Sequence, residues 1–119
     1  MANVKRIDGL FNAPKDKRYK SFCVQVADTE EVWLMQDTPE VPVLQQDHIC
    51  VWPDKAFVTL YRDDAIPVMI EVHDFIDECR TRINNQDFII CVFPNTKDCC
   101  EILASKLLEA IQDELDLVE

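Results

Sequence analysis

A chain of 119 residues, 48% hydrophobic and 29% charged, suits one domain that buries its core without staples. Its only glycine is Gly9, which excludes classical dinucleotide and P-loop nucleotide sites, because both need several glycines to bring backbone close to phosphate. The formal net charge of −11 is unevenly spread: residues 1–20 hold six basic side chains against two acids, so they carry +4 and the remainder −15. So acidic a body repels nucleic acid and attracts a basic protein partner.

In chain order, residues 1–13 read as a mobile N-terminal arm and residues 14–119 as one domain. Pro14 suits a first helical turn, and Tyr19, Phe22, Cys23 and Val26 follow at helical spacing until Asp28-Thr29-Glu30 closes the helix. Glu31–Gln36 is a strand centred on Val32 and Trp33. Residues 37–47, with Pro39, Pro42 and three acids, are a loop with room for one short edge strand. His48–Trp52 is a second strand, ended by Pro53. A short helix runs from Pro53-Asp54 to Tyr61, and Ala65–Ile70 is extended with an interruption at Pro67. Val72, Phe75, Ile76, Cys79 and Ile83 mark another helix. Asp87–Phe93 is a continuous apolar run, read as a strand buried on both faces. Two readings stay open beyond Pro94-Asn95: Asp98-x-x-Glu101 is a capping box opening a helix, or Cys99–Leu103 is a last strand with the helix starting near Ser105. In both, Leu107, Leu108, Ile111 and Leu115 line one helix face. The expected fold is α+β, a small, mostly antiparallel sheet covered by three or four helices.

The six cysteines are Cys23, Cys50, Cys79, Cys91, Cys99 and Cys100. Four of them sit in apolar patterns, where a thiol acts as a small hydrophobe. Met1–Lys5 leads straight into charged residues, with no apolar leader, and no apolar run is long enough to span a bilayer. The expectation is a cytoplasmic protein with reduced thiols and no membrane partner.

Several phrases, taken in order, resemble one bacterial family: Arg18-Tyr19-x-x-Phe22, Val26-Ala27-Asp28, Val32-Trp33, Val51-Trp52-Pro53, Ala65-Ile66-Pro67, Phe75-Ile76 and Val92-Phe93-Pro94. Over residues 14–117 they resemble the small proteins grouped as domain of unknown function 2750. The resemblance implies a bacterial source, a compact α+β fold and a strand at Cys99–Leu103. It implies no activity and supplies no catalytic residues. Two departures stand out. Residues 37–47 lack the Asp/Gly-rich hairpin expected of the family, and Cys99-Cys100 replaces a glycine that often precedes the last strand.

Catalytic and metal constellations are weak at this level. Adjacent Cys99 and Cys100 point to opposite faces of a strand and chelate poorly. No Cys-x-x-Cys or His-x-x-x-His pair exists. His48-x-Cys50 places two donors on one strand face, but two ligands do not close a site, so no metal and no cofactor is expected. A cysteine nucleophile would need His48 or His73 beside it, and no motif supports that. Asp74 and Glu78 are one helical turn apart, on what reads as a solvated face. Trp33 and Trp52 fall within apolar strands, as core residues or as anchors of a pocket or interface.

One placement breaks a local rule. Asp113, Glu114, Asp116 and Glu119 crowd the negative end of the last helix, and Lys15, Lys17 and Arg18 the positive end of the first, each against the helix dipole. Either the two ends compensate one another, or the acids form a docking surface. The leading expectation is a non-enzymatic partner-binding protein, of the immunity or inhibitor type, that masks a basic toxin or nuclease through these four acids. The alternatives are a small enzyme around His48, Cys50 and Trp52, and a general regulatory or assembly component.

Overall fold

The computed structural model describes residues 9–36 and 40–118. A helical turn at 9–11 leads into helix α1, Lys15–Thr29. There follow β1 (Glu31–Gln36), a 3-10 turn (Val43–Gln45), β2 (Ile49–Trp52), α2 (Lys55–Tyr61), β3 (Ile66–Glu71), α3 (Val72–Ile83), β4 (Ile89–Val92), β5 (Cys100–Leu103) and α4 (Ala104–Val118). The strands form one sheet in the order β3-β1-β2-β4-β5. Among the described residues, only β2 and β4 pair in parallel, because a crossover through α2, β3 and α3 separates them. The fold is α+β with a mostly antiparallel sheet.

Residue alternation divides the sheet into two faces. Val32, Leu34, Val51, Ile90 and Val92 are buried on one of them. Cys100, the register partner of Val92, lies beside Lys15, Asp16 and Arg18, so α1 covers that face. Helix α4 packs along α1, and α3 along α4. The opposite face bears Trp33, Cys50, Trp52, Cys91 and Phe93. Here α2 sets Tyr61 against Trp52 at 5.3 Å and Phe57 against Phe93 at 4.6 Å between ring centroids.

Local signals explain most boundaries. Asp54 caps α2 by accepting the Ala56 N–H at 2.9 Å, and Glu71 caps α3 by accepting the His73 N–H at 2.6 Å. Glu30 ends α1 in the left-handed region, at φ 62°.

The structure departs from the sequence expectations in four places along the sheet. β3 runs unbroken through Pro67, which pairs with Met35. It is an edge strand, where a missing N–H is tolerated. No edge strand forms among the described residues between β1 and β2. Residues 37–39 lie outside the described part. β4 is shorter than expected, because Asp87 is drawn to α4 and Phe93 turns into the left-handed region at φ 50°. Nor are both its faces buried, since Ile89 is 46% exposed. Cys100–Leu103 is a strand, which closes the helix alternative, and Asp98 binds Arg18 instead of capping.

The N-terminal arm differs too. Residues 1–8 lie outside the described part, but 9–13 are held against the domain. Phe11 is buried, stacks on Phe57 at 6.4 Å, and its carbonyl accepts from Asn95 Nδ2 at 2.9 Å.

Candidate functional site

The acids at the end of α4 come first. Asp113 and Asp116 are exposed and Glu114 is half-buried. Glu119 lies outside the described residues. Asp116 accepts from Gln112 Nε2 at 3.0 Å, one turn back. Among the described residues, no ion pair joins these acids to Lys15, Lys17 or Arg18. For Arg18, which is 1% exposed, the reason is that it is engaged elsewhere. Its Nε donates to the Phe93 carbonyl at 2.9 Å, one Nη reaches the Ala13 carbonyl, and the other meets the Asp98 carbonyl at 3.1 Å and its carboxylate at 2.5 Å. The most buried cation of α1 is engaged on the irregular stretch after β4, away from α4. Beside the acids, a hollow of about 320 Å³ opens between α3 and α4, with Ile83 and Leu108 as its apolar lining and Glu109, Asp113 and Arg80 as its charged groups.

The two tryptophans separate. Trp52 is wholly enclosed, and its Nε1 donates to the Pro94 carbonyl at 3.1 Å. It is a core residue with its polar group satisfied, which corrects its reading as a pocket or interface anchor. Trp33 is half-buried, and its Nε1 donates to Glu31 Oε1 at 3.2 Å. Its register partner Met69 is exposed, so this end of the sheet face opens to solvent.

Topology assembles a third group. Parallel pairing sets Cys50 opposite Cys91, and alternation puts His48 on their face, two residues before Cys50. The ligand atoms of His48, Cys50 and Cys91 all lie within 4.8 Å of one another. Cys91 Sγ is 3.9 Å from His48 Nε2. Cys91 also lies within hydrogen-bonding reach of the Cys99 thiol and has the Glu101 carboxylate nearby. Cys99 shares this face because it stands two residues before Glu101, the register partner of Cys91. Cys50 and Cys91 are buried, Cys99 half-buried and His48 exposed. His48, Cys50 and Trp52, which the sequence joins in one candidate site, are divided: the first two belong to this group, and Trp52 to the core.

Burial pushes the Cys91 thiol up to about 11, with Cys99 and Glu101 adding to the rise. Burial likewise takes Cys23 and Cys79 up to about 12. A nucleophilic cysteine needs the opposite, a thiolate at neutral pH.

The model of the family described as protein of unknown function (DUF2750) matches residues 19–111. The chain belongs to this family. Within the DUF2750 match lie His48, Cys50, Cys91 and Cys99, whereas Asp113, Glu114 and Asp116 lie beyond its end. No curated protein matches the chain, and no solved structure does. Among the described residues, no helix is long and apolar enough to cross a membrane.

Sequence reasoning finds two members of the thiol group and misses the rest. A local i, i+2 signal exists for His48 and Cys50. Cys91 and Cys99 join them only through strand pairing, for which a single sequence offers no signal.

Proposed function

We propose that this DUF2750 protein is a non-enzymatic, cytoplasmic bacterial protein that binds a basic partner through the C-terminal end of α4. The observation that carries the reading is that Asp113 and Asp116 are exposed and, among the described residues, form no ion pair with Lys15, Lys17 or Arg18, the last being bound to Asp98. Acids held against the helix dipole and paired with no cation of α1 suit an external cation. Leu117 and Val118, 78% and 58% exposed, add apolar area at the same end. The hollow beside Asp113 supports the reading further. The aliphatic stem of a partner's arginine or lysine fits over Ile83 and Leu108, with its head at Glu109 and Asp113. In its most concrete form this is an immunity- or inhibitor-type protein that masks the basic substrate-binding surface of a toxin or nuclease.

The test is charge reversal, Asp113→Lys, Glu114→Lys and Asp116→Lys together. Affinity-tagged wild-type and variant protein are compared for proteins retained in native host extract at low and high salt, each with a melting curve. The expected result is a basic protein retained by the wild type at low salt, lost at high salt and lost in the variant, whose melting temperature is unchanged or slightly raised. A clear fall in melting temperature would assign the acids to internal stabilisation and overturn the reading.

A further inference from the structure

The group at His48, Cys50 and Cys91 plays no part in the docking reading and stands on different observations. Its donors are one imidazole and two thiols, the set that suits a borderline-soft cation and disfavours calcium or magnesium, which take oxygen ligands. At tetrahedral zinc, bond lengths of about 2.3 Å to sulfur and about 2.0 Å to nitrogen put donor atoms about 3.5–3.8 Å apart. The 3.9 Å between Cys91 Sγ and His48 Nε2 is already close to that separation. All three donor atoms lie within 4.8 Å of one another, a spread that small side-chain rotations close. Two strands that pair directly hold the two sulfurs, so the site is built on sheet and not on loops. His48 is exposed and offers a route of entry.

We propose that His48, Cys50 and Cys91, with Cys99 as fourth donor, bind one zinc-class cation on the sheet face that carries α2. Cys99 lies beside Cys91 but outside the three-donor cluster, and because it stands just ahead of β5 its side chain is free to rotate toward the metal without disturbing strand pairing. The Glu101 carboxylate near Cys91 adds negative charge that favours a cation. Binding displaces the thiol protons of the three cysteines to solvent, and the thiolates take the metal. The metal then ties β2, β4 and β5 together across the sheet's one parallel junction. Residues 99 and 100 take no joint part. Cys99 faces this site, and Cys100 faces α1 beside Lys15 and Arg18.

Zinc and cobalt are the probes. Full-length protein, stripped with a chelator and kept reduced, is titrated with Zn²⁺ against a chromophoric competitor and, separately, with Co²⁺ while sulfur-to-cobalt charge-transfer absorption is followed. The expected result is one metal per chain, strong charge-transfer bands and a melting temperature raised by Zn²⁺. Cys50→Ser, Cys91→Ser and His48→Ala should each weaken binding by more than the roughly 10–100-fold that loss of an outer-shell partner costs. Cys99→Ser should remove about a third of the charge-transfer intensity, one thiolate of three. Cys100→Ser should change nothing. His48→Ala removes an exposed side chain and keeps the fold, so the test survives if a buried cysteine variant does not fold. Sub-stoichiometric cobalt without charge transfer would overturn the proposal. So would equal affinity in wild type and His48→Ala, or a Cys50–Cys91 disulfide in protein purified with its thiols protected.

Discussion

Arg18 on α1 and Asp98 in the β4–β5 loop are 80 positions apart in the chain and 2.5 Å apart in the fold. The pair is asymmetric, with side chains 2% and 50% exposed. The arginine also satisfies carbonyls at Ala13, Phe93 and Asp98. It therefore organises the turn that follows the left-handed Phe93, and its several bonds matter more than the one ion pair.

Arg18→Met should accordingly destabilise the protein by about 2–4 kcal/mol, since buried carbonyls and a carboxylate lose their donor. Asp98→Asn should cost about 1 kcal/mol or less, because the carboxylate is half in water. Midpoints of urea unfolding at constant slope measure both. A larger loss from Asp98→Asn than from Arg18→Met would contradict this account.

Neighbouring isoleucines on β4 give a sharper contrast. Ile90 is wholly buried under the helices, whereas Ile89 is 46% exposed and pairs with the equally open Leu103. Ile90→Ala should cost about 2–5 kcal/mol and Ile89→Ala about 1 kcal/mol or less. Similar losses at the two positions would mean that something covers the open face.

Asp87 predicts an acid response. The Ser105 hydroxyl donates to its carboxylate, joined by the Phe88 and Ser105 N–H groups, and together they hold it below the usual 3.8 in spite of partial desolvation. A carboxyl depressed in the folded state adds stability that is present above its ordinary value and is lost as pH falls through the folded one. Wild-type stability should thus decline below about pH 4, and Asp87→Asn should flatten that decline. Denaturation midpoints between pH 2 and 6 measure it, and parallel curves for the two proteins would remove Asp87 from the acid response.

The thiols predict an alkaline response of opposite sense. Burial raises Cys23 and Cys79 from 9.0 to about 12. A raised thiol adds stability that is complete below its unfolded value and is lost as pH rises through the folded one. Stability should therefore fall between pH 9 and 12. In metal-free native protein at neutral pH, iodoacetamide should label the half-buried Cys99 and Cys100 ahead of Cys23 and Cys79. Mass mapping of a time course reads the order, and early labelling of Cys79 would contradict it.

By itself the sequence determines what depends on neighbours along the chain. The apolar centre at Val32 and Trp33 places β1 at Glu31–Gln36, and helical spacing of apolar residues places α1 and α3, because side-chain direction follows backbone period. The family resemblance favours a strand where the local reading is divided between Asp98-x-x-Glu101 and a strand, and the fold decides for it at Cys100–Leu103. Tertiary structure alone decides everything that depends on which strands meet. Arg18 reads as one of three cations on a solvated helix start, and it becomes a core residue only because the β4–β5 turn brings Asp98 and the Phe93 carbonyl to it. Trp52 reads as core, with an anchor as the alternative, until α2 lays Tyr61 over it. His48 and Cys50 are two members of the proposed donor set; Cys91 joins them through a parallel pairing between strands that two helices and an edge strand separate, and Cys99 through the antiparallel pairing of β4 with β5. Strand pairing is a long-range contact with no period in one sequence, so the same cysteines that read as scattered hydrophobes converge only in the folded sheet.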